Sequence, residues 1–134
     1  MEPHTFLPTI LEFGLSGWPP PGPNQFEWQG NQLRYLLPNE PAANPSSVRF
    51  AQPRQDEWVR FWAECDRLEI WNLPADFSKP IRDGLKVRMS VSHAGRSIRV
   101  SGQCADELPE LVERIHGFHA ALQQLVGYVP AQHR

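Results

Sequence analysis

The chain has 134 residues, of which 40% are hydrophobic, 21% charged and 10% aromatic, with a formal net charge of −2. A chain of this length buries about two thirds of its surface, enough for one core, and five tryptophans with seven phenylalanines exclude a disordered chain, which lacks groups to bury. The near-balanced charge excludes a polybasic or an acidic tail, and no apolar run approaches the ~20 residues that span a bilayer.

Ten of the fourteen prolines fall within residues 1–53. Proline has no N–H and breaks helices, so this half reads as strand and loop. Residues 9–16 alternate, with Leu11, Phe13 and Leu15 on one side and Glu12 and Gly14 on the other, which predicts a half-buried strand. Trp18 leads into Pro19-Pro20-Pro21-Gly22-Pro23-Asn24, a stiff polyproline-like loop. Residues 25–37 read as a hairpin about Gly30-Asn31. That register sets Trp28 opposite Leu33, Phe26 opposite Tyr35 and Glu27 opposite Arg34. Residues 38–47 are loop, and Val48-Arg49-Phe50 is a short strand or extended chain.

A helix is predicted over 54–67. Trp58, Phe61, Trp62 and Cys65 fall at i, i+3, i+4 and i+7, while Glu57, Arg60, Glu64 and Arg67 lie on the wet side. Ile70-Trp71-Asn72-Leu73 is a short extended piece or a turn, and Asp83-Gly84 is a turn. Val87, Met89, Val91 and His93 then alternate with Lys86, Arg88, Ser90 and Ser92. A turn at Ala94-Gly95 sets Val91 opposite Ile98 and Met89 opposite Val100 on the inner side. The same turn sets Ser92 opposite Ser97, Ser90 opposite Arg99 and Arg88 opposite Ser101 on the outer side. The last helix keeps a 3.6 period from Leu108 to Val126. Pro109 suits its first turn, Glu107 and Glu110 sit near the positive end of its dipole, and Gly127 caps it ahead of Pro130.

The expected fold is therefore α+β: an antiparallel sheet of five to six strands with two main helices packed on one face. Residues 1–134 read as a single domain, with a proline-rich strand and loop half (1–53) and a helix–hairpin–helix half (54–134).

From residue 57 to about 126 the chain resembles a group of small bacterial proteins that carry no assigned activity. Their pattern is W-x-x-F-W on a helix, an I/V-W pair, an acidic-glycine turn, two strands around a glycine, and a closing amphipathic helix. Here these are Trp58, Phe61-Trp62, Ile70-Trp71, Asp83-Gly84, the strands flanking Gly95, Gly102, and Pro109 onward. Leu73 departs from the pattern, which has a second aromatic there. The resemblance implies the fold and a bacterial cytoplasmic setting; it carries no catalytic residue across.

No catalytic constellation is readable. Cys65 and Cys104 lack CxxC spacing and read as free thiols in a reducing compartment. Met1-Glu2-Pro3-His4 has no basic region before an apolar stretch, which speaks against a secretory signal and for a cytoplasmic protein. Glu113, His116 and His119 are at i, i+3 spacing on the last helix but have no second such motif to complete a dimetal site; they read as a solvated Glu–His pair beside a semi-buried histidine. No cofactor and no metal are expected. Lys86, Arg88 and Arg99 share the outer face of the second hairpin, with Arg82 and Arg96 near its ends, and form a candidate binding patch. Serines rather than aromatic platforms lie between them, which argues against RNA. Trp28, Trp58 and Trp62 are expected in the core; Trp18 and Trp71 are candidate contact residues. The leading expectation is a non-enzymatic protein-binding module, such as an inhibitor or immunity-like protein that neutralises a toxin or enzyme. The alternatives are a small hydrolase or ligand-binding enzyme built on Cys104 with His93 or His116, and a subunit of a larger assembly or homo-oligomer.

Overall fold

Two short turns set the register of the sheet. Gly30 takes φ +94°, the left-handed value required at the first central position of a type II′ hairpin turn. Around it β2 (Gln25–Trp28) and β3 (Leu33–Leu36) pair with Phe26 opposite Tyr35, Glu27 opposite Arg34 and Trp28 opposite Leu33. Ala94 and Gly95 take φ +53° and +82°, as a type I′ turn demands at both positions. They join β5 (Leu85–His93) to β6 (Arg96–Cys104) with Met89 opposite Val100 and Val91 opposite Ile98. All the pairings expected for the two hairpins are present.

The computed structural model describes residues 7–16, 23–36, 48–73, 85–104 and 109–128. Trp18, most of the proline run, Arg82 and the Asp83-Gly84 turn lie outside the described residues. β1 (Ile10–Ser16) inserts between the hairpins, antiparallel to β2 on one side and β5 on the other. β4 (Val48–Ala51) flanks β3, giving one six-stranded antiparallel sheet in the order β4-β3-β2-β1-β5-β6.

Parity sorts the side chains. Leu11, Phe13 and Leu15 of β1, Val87, Met89 and Val91 of β5, and Val100 of β6 are all buried on one face. The two helices, α1 (Gln55–Leu68) and α2 (Pro109–Leu125), cover that face. Phe118 of α2 meets Phe13 edge-on at 5.4 Å between ring centroids, and Trp58 of α1 meets Trp28 of β2 at 5.4 Å. The helices touch each other through Phe61 and Phe118, at 5.6 Å. The stripe Trp58, Phe61, Trp62 and Cys65 is buried along its length. Trp28 departs from expectation: it is half-buried, because it ends β2 beside the exposed Gly30 turn and presents only one edge to Trp58.

The helix ends follow from capping. Glu57 accepts a 2.8 Å hydrogen bond from the Arg54 N–H, satisfying a donor ahead of α1. At the other end Glu69 is forced to φ +57°, and the chain enters a single 3-10 turn, Ile70–Asn72. That turn, rather than an extended piece, places Ile70 in the core and Trp71 against Trp62. In α2, Gly127 donates to the Gln124 carbonyl and Tyr128 to the Gln123 carbonyl, 3.0 and 2.9 Å, the two bonds of a Schellman cap.

Candidate functional site

The sheet's second face carries the polar parity of β2, β5 and β6, whereas β3 and β4 add Leu36, Val48 and Phe50 to it. The pairing sets Phe50, Arg34, Glu27, Glu12, Ser90 and Arg99 in one row across all six strands. Lys86, Arg88 and Arg99 are exposed on the β5–β6 end of this face, with Ser90, Ser97 and Ser101 between them. Glu12 and Glu27 oppose each other on the central strands, and Arg34 reaches Glu27 at 3.9 Å. The face thus has an acidic centre and a cationic end.

Most described cations are already engaged. Arg54 and Arg60 meet Asp56, Arg67 meets Glu64, Arg96 meets Asp66 and Arg114 meets Glu69. Lys86, Arg88 and Arg99 form no ion pair among the described residues. Three cations of one sign, on adjacent strands and without acid between them, concentrate a positive potential there.

Arg96 does not extend this patch. It sits opposite His93, the parity that points to the helices, so its guanidinium lies over the Trp71 ring at 4.5 Å and pairs with Asp66 at 3.0 Å. Trp71 is half-buried; its ring also stacks on Trp62 at 6.3 Å, and its indole N–H donates to Asp66 at 3.2 Å. Trp62 in turn stacks on His93 at 3.9 Å with the rings within 4° of parallel. The result is a layered cap, His93–Trp62–Trp71–Arg96, that closes the core at the β5–β6 turn. Sequence could not show it, since its members come from four separate elements.

His93 and Cys104 lie at opposite ends of the second hairpin. His93 pairs with Arg96 beside the turn, whereas Cys104 pairs with Leu85 at the far end of the same hairpin. Eight residues of strand separate Arg96 from Cys104, about 27 Å at the usual rise, far beyond proton-transfer reach. Cys65 is a free thiol buried among apolar groups, and burial pushes its ionisation well above the usual thiol range, so it is no nucleophile. On α2, burial lowers the pKa of both His116 and His119.

His119 is fully buried rather than semi-buried. Its Nε2 lies 2.6 Å from the Pro23 carbonyl oxygen, and the Gln123 amide nitrogen reaches the same oxygen at 3.2 Å. Its ring stacks on Phe13 at 5.6 Å and meets Phe26 edge-on at 6.2 Å. Nε2 is thus committed to anchoring the chain where it enters β2. Among the described residues no cluster of three or more His, Cys, Asp or Glu side chains is placed to hold a metal, and no helix is long and apolar enough to cross a membrane.

An open groove of about 370 Å³ runs between α1 and α2, floored by Phe61, Ala121 and Leu125. Its acidic rim is occupied: Glu57 takes the Arg54 N–H and Glu64 pairs with Arg67. Comparison with protein-family models, with curated proteins and with solved structures finds no match for the chain.

Proposed function

We propose that the protein is a non-enzymatic protein-binding module, of the inhibitor or immunity kind, that docks an acidic protein surface on the outer face of β5 and β6. The observation that carries this reading is the set of exposed cations without acidic partners among the described residues, Lys86, Arg88 and Arg99, sharing one sheet face. A sheet face fixes its side chains better than a loop does, so little ordering cost attends docking. Cations held a strand apart also accelerate encounter with an opposite charge. A bacterial cytoplasmic setting belongs to the same proposal, resting on the likeness carried by Trp58, Phe61, Trp62 and Trp71 and on the free Cys65 thiol.

The test is recovery of partners from a native bacterial lysate on the immobilised chain at physiological salt. The wild-type chain is expected to retain a stoichiometric acidic protein that is lost on the Lys86→Glu/Arg88→Glu/Arg99→Glu variant and released by raised salt. Recovery of no stoichiometric partner, or equal recovery by the triple variant, overturns the proposal.

A further inference from the structure

Among the described residues, the main chain beside the cationic patch has no strand on its outer side. Thr9 donates its N–H to the Ser92 carbonyl at 2.9 Å, so the backbone groups of Ser92, Ser90, Arg88 and Lys86 face β1. The alternate residues of β5 face β6, and their register partners Arg96, Ile98, Val100, Gly102 and Cys104 spend their N–H and C=O groups on β5. The backbone groups of Ser97, Arg99, Ser101 and Gln103 therefore point away from the sheet. Among the described residues no strand pairs with them. Edges of this length are guarded by charge, proline or a bulge; β6 contains no proline and pairs one-to-one with β5 over all nine residues, so its guard is the charge of Arg96 and Arg99, which an acidic strand does not oppose.

We propose that this edge takes up an extended acidic segment of the partner as a seventh strand; this rests on the acidic partner proposed above and names how it is held. Side chains of an added strand alternate. Those opposite Ser97, Arg99 and Ser101 emerge on the outer face, beside Arg99 and one strand from Arg88. Those opposite Ile98, Val100 and Gly102 emerge on the helix side, where Ile98 is only half-buried and Gly102 carries no side chain. The segment that fits has acidic residues alternating with apolar ones. A second copy of β6 fits worse. Pairing all four outward residues with their counterparts sets Arg99 opposite Ser101 of the copy and makes the two Arg99 side chains diagonal neighbours. Both Arg88 side chains then lie one strand behind them, so a copy doubles the charge that an acidic strand neutralises.

The test uses the full chain, amide hydrogen exchange read by NMR, and a capped seven-residue peptide of alternating Glu and Val. Exchange at Ser97, Arg99, Ser101 and Gln103 is expected to slow at least ten-fold at saturating peptide, while Ile98, Val100 and Gly102 change little. The same peptide N-methylated at its Glu residues keeps the charge but cannot bond to the edge, and is expected to bind at least ten-fold more weakly. Ser101→Pro removes an N–H that points away from β5; it is expected to leave the β5–β6 cross-strand contacts intact and abolish uptake. Equal binding of the methylated peptide overturns strand addition while leaving docking on the charged face standing. Failure of the parent peptide to protect the four amides overturns strand addition, and the lysate experiment then judges the docking face separately. Protection of those amides without peptide, with sedimentation as a dimer, assigns the edge to a second copy and overturns the proposal.

Discussion

The carbonyl of Pro23 is held by two donors from α2, and this redundancy has a measurable consequence. His119→Phe keeps a ring in the stack with Phe13, at 5.6 Å in the native chain, but removes the 2.6 Å contact to Pro23. Gln123→Leu removes the 3.2 Å bond and leaves His119 in place. Each single change leaves the buried carbonyl one donor, so each costs about 1 kcal/mol, the net worth of one hydrogen bond. The double variant leaves it none among the described residues. A buried acceptor without a partner adds its desolvation penalty, about 1–3 kcal/mol, so the pair should destabilise by about 3–5 kcal/mol in all. Urea denaturation of the four proteins, read by tryptophan fluorescence, gives the coupling directly as a double-mutant cycle. Additivity within about 0.5 kcal/mol would refute the shared-acceptor account.

Acid should destabilise the fold through the same region. Burial lowers the pKa of His119 and His116 in the folded chain. Below about pH 6.5 the unfolded chain therefore binds protons that the folded chain refuses, and stability falls until the folded pKa values are passed. The urea midpoint should drop between pH 7.5 and 5, and His119→Phe should flatten the slope; a midpoint independent of pH in that window contradicts this. Ala94 and Glu69 hold left-handed φ values of 53° and 57° without glycine's freedom. Ala94→Asn, matching the type I′ preference, and Glu69→Gly, at the α1 terminus, should each raise stability by up to about 1 kcal/mol, read as a higher thermal midpoint. An added Cβ at Gly117 would lie 2.6 Å from Leu68 Cδ2, so Gly117→Ala should forfeit the ~1 kcal/mol that alanine gains over glycine in a helix. Combined with Leu68→Ala, the gain should reappear in a denaturation cycle.

The fold was legible where short-range rules dominate. A two-residue turn leaves a hairpin little choice of register, so both hairpins could be paired residue by residue. The 3.6-residue stripe runs just over two turns in α1 and about five in α2, and neither admits a strand reading. The placement of β1 was not legible. Its partner β5 lies some 75 residues downstream, and nothing local in residues 10–16 encodes which strands it separates. Ile70–Asn72 could be read only as an extended piece or a turn because three residues are too few for a period, and the left-handed Glu69 before it decides for the turn. The full burial of His119 was hidden for a related reason: the carbonyl that satisfies it belongs to Pro23, 96 residues away.

The charged face was legible by parity, but its chemical state was not. Strand alternation suffices to put Lys86, Arg88 and Arg99 on one side of the second hairpin. The same alternation separates Arg96 from Arg99, since residues three apart on a strand point to opposite faces. Proximity to the turn is thus a poor guide to membership in the patch. Whether a surface arginine is available depends on which acids the rest of the chain delivers. Arg34 meets Glu27 across β2–β3, and Arg96 meets Asp66 from α1. Among the described residues no such acid comes to Arg99, because its lateral neighbour is Ser90 and no described strand lies on its other flank. One strand position therefore combines an unpaired cation with outward-pointing backbone donors and acceptors. An acidic strand would satisfy both requirements together, and a convex acidic surface would satisfy only the first.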